Sequence, residues 1–171
     1  MINVAINGFG RIGRLFLRAL TENKNAKNIK VKVINDLADL ESNIHLFKYD
    51  SIHGTYKKKI IKNKNYFDVG FGKIQVISET NPLKLPWKKN NIDVVIECTG
   101  ILTSKKDSIK HIKAGAKKII ISAPSDNPDI TVVFGVNHKN INNNHKIISN
   151  ASCTTNCLAP IANILNNTIG I

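Results

Sequence analysis

The chain has 171 residues, 25 of them Lys or Arg against 12 Asp or Glu, for a net charge of +13. Apolar residues make up 42% and charged ones 22%, the balance of a packed globular protein rather than a disordered one, and no apolar run approaches the roughly 20 residues that cross a bilayer. The positive charge raises nucleic acid as a partner, but Lys (22), Asn (23) and Ile (27) are enriched together and the lysines are scattered, which fits a coding bias with solvated faces and argues against both nucleic acid and membrane.

Ile2 to Asn7 is a short apolar run of strand length, followed at once by Gly8-Phe9-Gly10-Arg11-Ile12-Gly13. Ile12, Leu15, Phe16, Ala19 and Leu20 then recur at helical spacing, with Arg11, Arg14 and Arg18 on another face. A polar stretch from Asn23 to Asn28 leads to a second strand, Ile29 to Asn35. Strand, glycine turn, helix and strand form a βαβ unit. Leu37 to Phe47 reads as a second helix, and Tyr56 to Ile61 and Tyr66 to Ile77 as short strands of an antiparallel insert turning at Gly70 and Gly72. Asp93 to Cys98 reads as a buried strand. Ser104 caps a helix from Lys105 to Ala114, with Asp107 completing the capping box and Gly115 as the stop. Lys118 to Ser122, Thr131 to Phe134 and Lys146 to Ser149 complete the strands. The alternation predicts an α/β fold with a doubly wound, mostly parallel sheet. A last helix begins at Cys153, carries Leu158, Ile161, Ala162 and Leu165 on one face, and contains Pro160, where a kink is expected. With nothing after it to bury that face, the sequence is expected to stop early.

The glycine loop sits where a dinucleotide requires it. Gly8 permits a tight turn, Gly10 leaves room for a pyrophosphate against the backbone, and Gly13 lets helix and sheet pack closely. The helix N-terminus adds free N–H groups and a partial positive charge. Asp36 lies 23 residues beyond Gly13, about the spacing of the carboxylate that accepts hydrogen bonds from an adenosine ribose. A carboxylate there repels a 2′-phosphate, so NAD is expected over NADP. The fold is thus expected to be Rossmann-type.

Ser152-Cys153-Thr154-Thr155-Asn156-Cys157 opens the last helix. A helix N-terminus stabilises a thiolate, so Cys153 is the candidate nucleophile. Cys157, one turn further in, is expected to be packed, and Cys98 to be core. Three cysteines without a framework suit a reducing compartment, here the cytoplasm, and the N-terminus has neither the basic stretch nor the cleavage site of a secretory leader. The Cys-x-x-x-Cys spacing lacks further ligands, so no metal site is expected. Of the histidines, His111 and His145 read as structural or solvated, and none is marked by spacing as the base for Cys153.

Residues 5–14 (Ala-Ile-Asn-Gly-Phe-Gly-Arg-Ile-Gly-Arg), 49–54 (Tyr-Asp-Ser-Ile-His-Gly), 97–100 (Glu-Cys-Thr-Gly), 121–124 (Ile-Ser-Ala-Pro) and 149–160 (Ser-Asn-Ala-Ser-Cys-Thr-Thr-Asn-Cys-Leu-Ala-Pro) together closely resemble phosphorylating glyceraldehyde-3-phosphate dehydrogenase of the bacterial type. The resemblance runs from Met1 to Ile171 and covers about the first half of that enzyme. It implies an NAD-binding domain at 1–150 and the first helix of an incomplete catalytic domain at 151–171. It implies further that the backbone at Arg11 and Ile12 holds the pyrophosphate, Asp36 the adenosine ribose, Thr99 and Gly100 border the adenosine half, and Ser122 lies near the nicotinamide. Cys153 would attack glyceraldehyde 3-phosphate to give a thiohemiacetal, hydride would pass to NAD, and inorganic phosphate would cleave the thioester to an acyl phosphate in glycolysis. Ser152 and Thr154 would bind substrate or phosphate, and the Cys153 N–H would help hold the oxyanion.

The pattern departs from the family at Glu79-Thr80-Asn81-Pro82, where Thr80 replaces an arginine, and at Ile101-Leu102, which replaces a Phe pair. The family's catalytic histidine and substrate-phosphate arginine fall beyond position 171, so the chain alone is expected to be inactive, and the family's tetramer is expected only of the whole enzyme. Erythrose-4-phosphate dehydrogenase shares the loop and the cysteine motif, though Asp36 and residues 121–124 lean toward the triose enzyme. An inactive NAD- or polyanion-binding remnant is the other alternative.

Overall fold

A computed structural model describes residues 1–23, 25–70 and 72–171. Lys24 in the expected polar stretch and Phe71 in the expected turn lie outside the described residues. Strand β1 (Ile2–Asn7) leads through the glycine loop into α1 (Arg11–Glu22), then β2 (Ile29–Asn35) and α2 (Leu40–Lys48). The insert holds β3 (Tyr49–Asp50), β4 (Gly54–Thr55), β5 (Ile61–Asn63), β6 (Tyr66–Asp68) and β7 (Ile74–Ile77). Next come β8 (Val94–Glu97), α3 (Lys105–Lys113), β9 (Lys118–Ile121), β10 (Ile130–Thr131), β11 (Ile147–Ser149) and α4 (Cys153–Thr168).

Nine strands form one sheet in the order β10-β11-β9-β8-β1-β2-β7-β6-β5, and β3 pairs with β4 apart from it. Every neighbouring pair from β10 to β7 is parallel, while β7-β6-β5 is antiparallel. The sheet grows from β1 in both directions, through β2 on one side and β8 on the other, so the strand order reverses beside β1. In a doubly wound sheet that reversal opens a crevice at the carboxyl ends of the strands.

Alternation along the strands feeds two cores. Val4 and Ile6 of β1 face α1 and α2, packing with Phe9, Leu17, Phe47 and Phe67. Ala5 faces the other way, with Trp87, Val95, Ile119 and Ile121. Covering both faces of the parallel part of the sheet excludes water from its central strands, which is why β8 and β9 read as near-continuous apolar runs.

Several expected boundaries shift, each for a local reason. The buried face of α1 is Gly13, Leu17, Arg18, Leu20 and Thr21, while Ile12 and Ala19 are exposed. Gly13 must lie against the sheet, and Leu17, Leu20 and Thr21 follow it at i+4, i+7 and i+8. Arg18, expected off the apolar face, is buried with it. Its guanidinium donates to the carbonyls of Phe47 (2.8 Å), Lys48 (2.9 Å) and Gly54 (2.9 Å), satisfying a charged group that would otherwise be costly to bury. Helix α2 begins at Leu40 rather than Leu37, because the Asp36 carboxylate accepts the Ala38 N–H and Asp39 caps the helix at Ser42. Tyr56 to Ile61 is not a strand. Tyr56 is buried against Phe47 with its hydroxyl on the Val69 carbonyl, and pairing resumes only at Ile61. The strand expected at Thr131 to Phe134 shrinks to Ile130–Thr131, since Asn137 accepts the Val133 N–H and donates to the Thr131 carbonyl, turning the chain.

Candidate functional site

The glycine loop follows β1 with Gly8 in the left-handed region (φ +89°), its N–H on the Asn35 carbonyl at 2.8 Å. A Cβ on Gly8 would stand 2.7 Å from the Thr99 nitrogen, and one on Gly13 only 2.3 Å from the Gly8 carbonyl oxygen. Both glycines therefore serve close backbone approach. Gly10 is different: a Cβ there would meet nothing within 4 Å. It is the N-cap of α1, no side chain caps the helix, and no acidic residue occupies the first turn. The first N–H groups of α1, at Arg11 and Ile12, consequently open outward with the positive end of the helix dipole behind them.

A groove of about 470 Å³ runs along the carboxyl ends of these strands, bordered by Gly8, Gly10, Asp36, Thr80, Thr99 and Ile101 among others. Asp36 is half-buried at the end of β2. Its carboxylate accepts the Phe9 N–H at 2.6 Å and the Ala38 N–H at 2.9 Å, which fixes its orientation and leaves two acceptor positions free. Pro82, Leu85 and Leu102 supply apolar wall. An open glycine at an uncapped helix end, a carboxylate one strand over and an apolar slot fit the phosphates, ribose and adenine of a dinucleotide. Thr80, the departure from the family pattern, stands in the groove wall. Gly100 (φ +73°) is exposed just beyond Thr99.

Further along the same edge, the Ser122 N–H bonds to the Glu97 carbonyl at the end of β8, and the Asn150 N–H to the Ile121 carbonyl. Ser149 donates its hydroxyl to the Ala123 carbonyl. These bonds tie the segment after β9 to the segment after β11, from which α4 starts. Ser152 is the α4 N-cap, accepting the Thr155 N–H at 3.0 Å, with the Thr154 and Thr155 hydroxyls 2.9 and 2.7 Å from its own. Asn156 donates to the Asn150 and Ser152 carbonyls and braces the entry. Cys153 is the first helical residue and is exposed.

Cys157 is exposed as well, not packed, because no residue of α4 is buried and the Leu158, Ile161 and Leu165 face meets no covering element among the described residues. Cys98, expected in the core, is only partly buried: it packs against the core and lines the groove. Burial pushes its thiol up to about 11, against a hydrogen bond from Ser122 and with the Glu97 charge adding to the rise. It is therefore protonated at neutral pH. His111 is fully buried, as a structural role requires. No cluster of potential metal ligands occurs among the described residues.

Sequence reasoning passed over one feature of the site. Asn35, Asn7 and Glu97 end three adjacent parallel strands in register and form a buried polar row beneath the groove. The available signal was polar side chains closing otherwise apolar strands, Asn7 after Ile6, Asn35 after Ile34 and Glu97 after Ile96.

A doubly wound sheet, a glycine loop at the head of α1 and a carboxylate at the end of β2 define a dinucleotide-binding domain of Rossmann type. Residues 2–105 match the family model described as glyceraldehyde 3-phosphate dehydrogenase, NAD binding domain. The chain belongs to that family, and NAD is the cofactor of the domain. Similar curated proteins include a glyceraldehyde-3-phosphate dehydrogenase of Xanthobacter flavus, 50% identical over 99% of this chain and 50% of the relative. Glyceraldehyde-3-phosphate dehydrogenase 2 of Trichormus variabilis is 52% identical over 100% of this chain and 51% of its own length. The enzyme of Mycoplasma pneumoniae is 51% identical over 99% of the chain and 50% of its own. The chain thus spans about half the length of the curated relatives it matches. No helix among the described residues is long and apolar enough to cross a membrane.

Proposed function

We propose that the chain supplies the cofactor domain, residues 1–150, and the nucleophile-bearing first helix of the catalytic domain, residues 151–171, of an NAD-dependent phosphorylating glyceraldehyde-3-phosphate dehydrogenase of cytoplasmic glycolysis. The observation that supports it most is the exposed Cys153 at the first position of a 16-residue helix. That helix starts from the same strand-end edge that carries the glycine loop.

In this reading the N–H groups at Gly10, Arg11 and Ile12 hold the pyrophosphate and the free lone pairs of Asp36 the adenosine ribose. Gly8 and Gly13 shape the loop, Thr99 and Gly100 border the adenosine half, and Ser122 flanks the nicotinamide end. When bound, NAD supplies the hydride acceptor. The Cys153 thiolate adds to the aldehyde carbon of glyceraldehyde 3-phosphate, and the N–H of Cys153 steadies the resulting oxyanion. Oxidation leaves a thioester on Cys153. An oxygen of inorganic phosphate attacks its carbonyl, the thiolate leaves, and 1,3-bisphosphoglycerate is released. Ser152 and Thr154 present hydroxyls at the helix mouth to substrate and attacking phosphate. A general base contributes about 10²–10⁴-fold in such steps, and the one implied by the family lies beyond position 171. The chain by itself is therefore expected to bind NAD without appreciable turnover, and the tetramer belongs to the whole enzyme.

Calorimetric titration with NAD tests the cofactor half, and a steady-state assay with NAD, phosphate and glyceraldehyde 3-phosphate tests the rest. Saturable NAD binding with negligible turnover is expected, together with turnover that appears when the second half of a relative is supplied and vanishes with Cys153→Ser. Absence of NAD binding, or brisk turnover by the chain alone, overturns the reading.

A further inference from the structure

We infer that Glu97 is a positioning residue for the dinucleotide groove: an acceptor-only carboxylate whose four hydrogen bonds hold the groove's inner wall, and for which glutamine is no substitute. The inference rests on the proposal that the groove takes NAD.

The Glu97 side chain is fully buried and has no lysine or arginine partner among the described residues. Its Oε1 accepts the Thr99 backbone N–H at 2.7 Å and the Thr99 hydroxyl at 2.5 Å. Its Oε2 accepts from Asn7 Nδ2 at 2.6 Å and lies 3.1 Å from His111 Nε2. Four donors on two oxygens use the full acceptor capacity of a carboxylate.

The polarity of this arrangement is fixed from both ends by groups that cannot reverse. At one end the Glu79 backbone N–H donates to Asn35 Oδ1 at 2.8 Å, and Asn35 Nδ2 donates to the Glu79 carbonyl at 2.9 Å. That sets the Asn35 amide. Asn35 Nδ2 also donates to Asn7 Oδ1 at 2.7 Å, so Asn7 must turn its NH₂ toward Glu97. At the other end the Trp87 indole, which can only donate, gives its N–H to His111 Nδ1 at 3.0 Å. His111 Nδ1 therefore carries no proton, the ring is neutral, and its single N–H at Nε2 points at Glu97. The Thr99 backbone N–H is the third donor of fixed direction.

Three donors of fixed direction meet one side chain. A glutamine there has one acceptor oxygen and must turn its NH₂ either on the Thr99 N–H or on Asn7 and His111. The first choice loses fewer bonds, and it releases Thr99. Thr99 and Gly8 are packed backbone to backbone, within 2.7 Å of where a Gly8 Cβ would be, and both border the groove. A freed Thr99 N–H leaves for water, and NAD binding must then restore it. Taking that donor back out of water without its partner makes binding weaker by about ten- to hundredfold.

The test compares wild type with Glu97→Gln by NAD calorimetry, thermal melting and long-range ¹H–¹⁵N NMR of the histidine ring. Support consists of Glu97→Gln folding, binding NAD about ten- to hundredfold more weakly, and showing its largest backbone amide shifts at Thr99 and Gly100. Wild-type His111 should show an unprotonated Nδ1 and a protonated Nε2, a measurement that stands even if the variant fails to fold. Unchanged NAD affinity in a folded Glu97→Gln, or a protonated Nδ1 in wild type, overturns the inference. If wild type itself fails to bind NAD, the functional reading falls, and the ring tautomer and the Thr99 amide shift still decide the role of Glu97 in holding the groove wall.

Discussion

Gly10 and Gly13 differ by three positions in one loop, and the structure assigns them opposite sensitivities. A Cβ at Gly13 would sit 2.3 Å from the Gly8 carbonyl oxygen and 3.0 Å from the Ile6 side chain, with backbone on one side and a core methyl on the other. Overpacking of this kind costs about 1–3 kcal/mol. At about 2–4 °C per kcal/mol for a chain of this size, Gly13→Ala should melt roughly 2–12 °C lower than wild type. A Cβ at Gly10 meets nothing within 4 Å, and Gly10 already has negative φ (−67°), so Gly10→Ala should stay within about 1 kcal/mol of wild type. In the proposed reading its methyl would project into the space where the pyrophosphate meets the α1 N–H groups. Losing one charge-assisted hydrogen bond there, worth about 1.5–3 kcal/mol, weakens NAD by about ten- to hundredfold. Thermal melts and NAD calorimetry on both variants provide the check. If Gly10→Ala binds NAD like wild type, or if both variants lose stability equally, the division of labour within the loop is wrong.

Other consequences follow from particular side chains. With the Cys98 thiol pushed up to about 11 by burial, brief iodoacetamide treatment of the folded chain at neutral pH should alkylate exposed Cys153 and Cys157 and spare Cys98, as read by peptide mass mapping. Labelling of Cys98 at a comparable rate would contradict its burial. Arg18→Met strips the Phe47, Lys48 and Gly54 carbonyls of a shared charged donor and should cost about 3 kcal/mol or more in urea denaturation; a loss below about 1 kcal/mol would show the guanidinium to be incidental. Burial opposes ionisation of Asp129, but Lys105 and the N–H groups of Ile147 and Lys146 outweigh it and hold the carboxyl at about 2. A depressed carboxyl stabilises fully above its unfolded value of about 3.9 and loses that contribution as pH falls toward 2. Asp129→Asn should therefore destabilise at pH 7, with the gap to wild type closing between about pH 4 and 2. A gap independent of pH would exclude the charge as its source.

Local chemistry decided much of this protein before any folding. The run Ile2–Asn7, the glycine spacing and the alternation of Ile29–Asn35 specify a βαβ unit because strand length, turn and helix period are properties of neighbouring residues. The Ser104 cap and the Gly115 stop (φ +110°) are local in the same way. So is the placement of Cys153 at a helix start, with Ser152 as its cap. What lay out of reach depends on partners distant in the chain. Helical spacing alone set Arg18 off the apolar face of α1, since only the returning segment 47–54 brings the carbonyls that let it be buried. The Cys157 position read as packed from its place one turn into the helix, and none of the described residues covers that helix. Asn7, Asn35 and Glu97 are 28 and 62 positions apart in the sequence. Only the parallel register of β2, β1 and β8 places them side by side, and only Trp87 and Glu79 fix which way each hydrogen bond runs. Periodicity can tell that a residue faces inward, but a buried polar group is made tolerable by donors and acceptors from other elements, and those are set by topology.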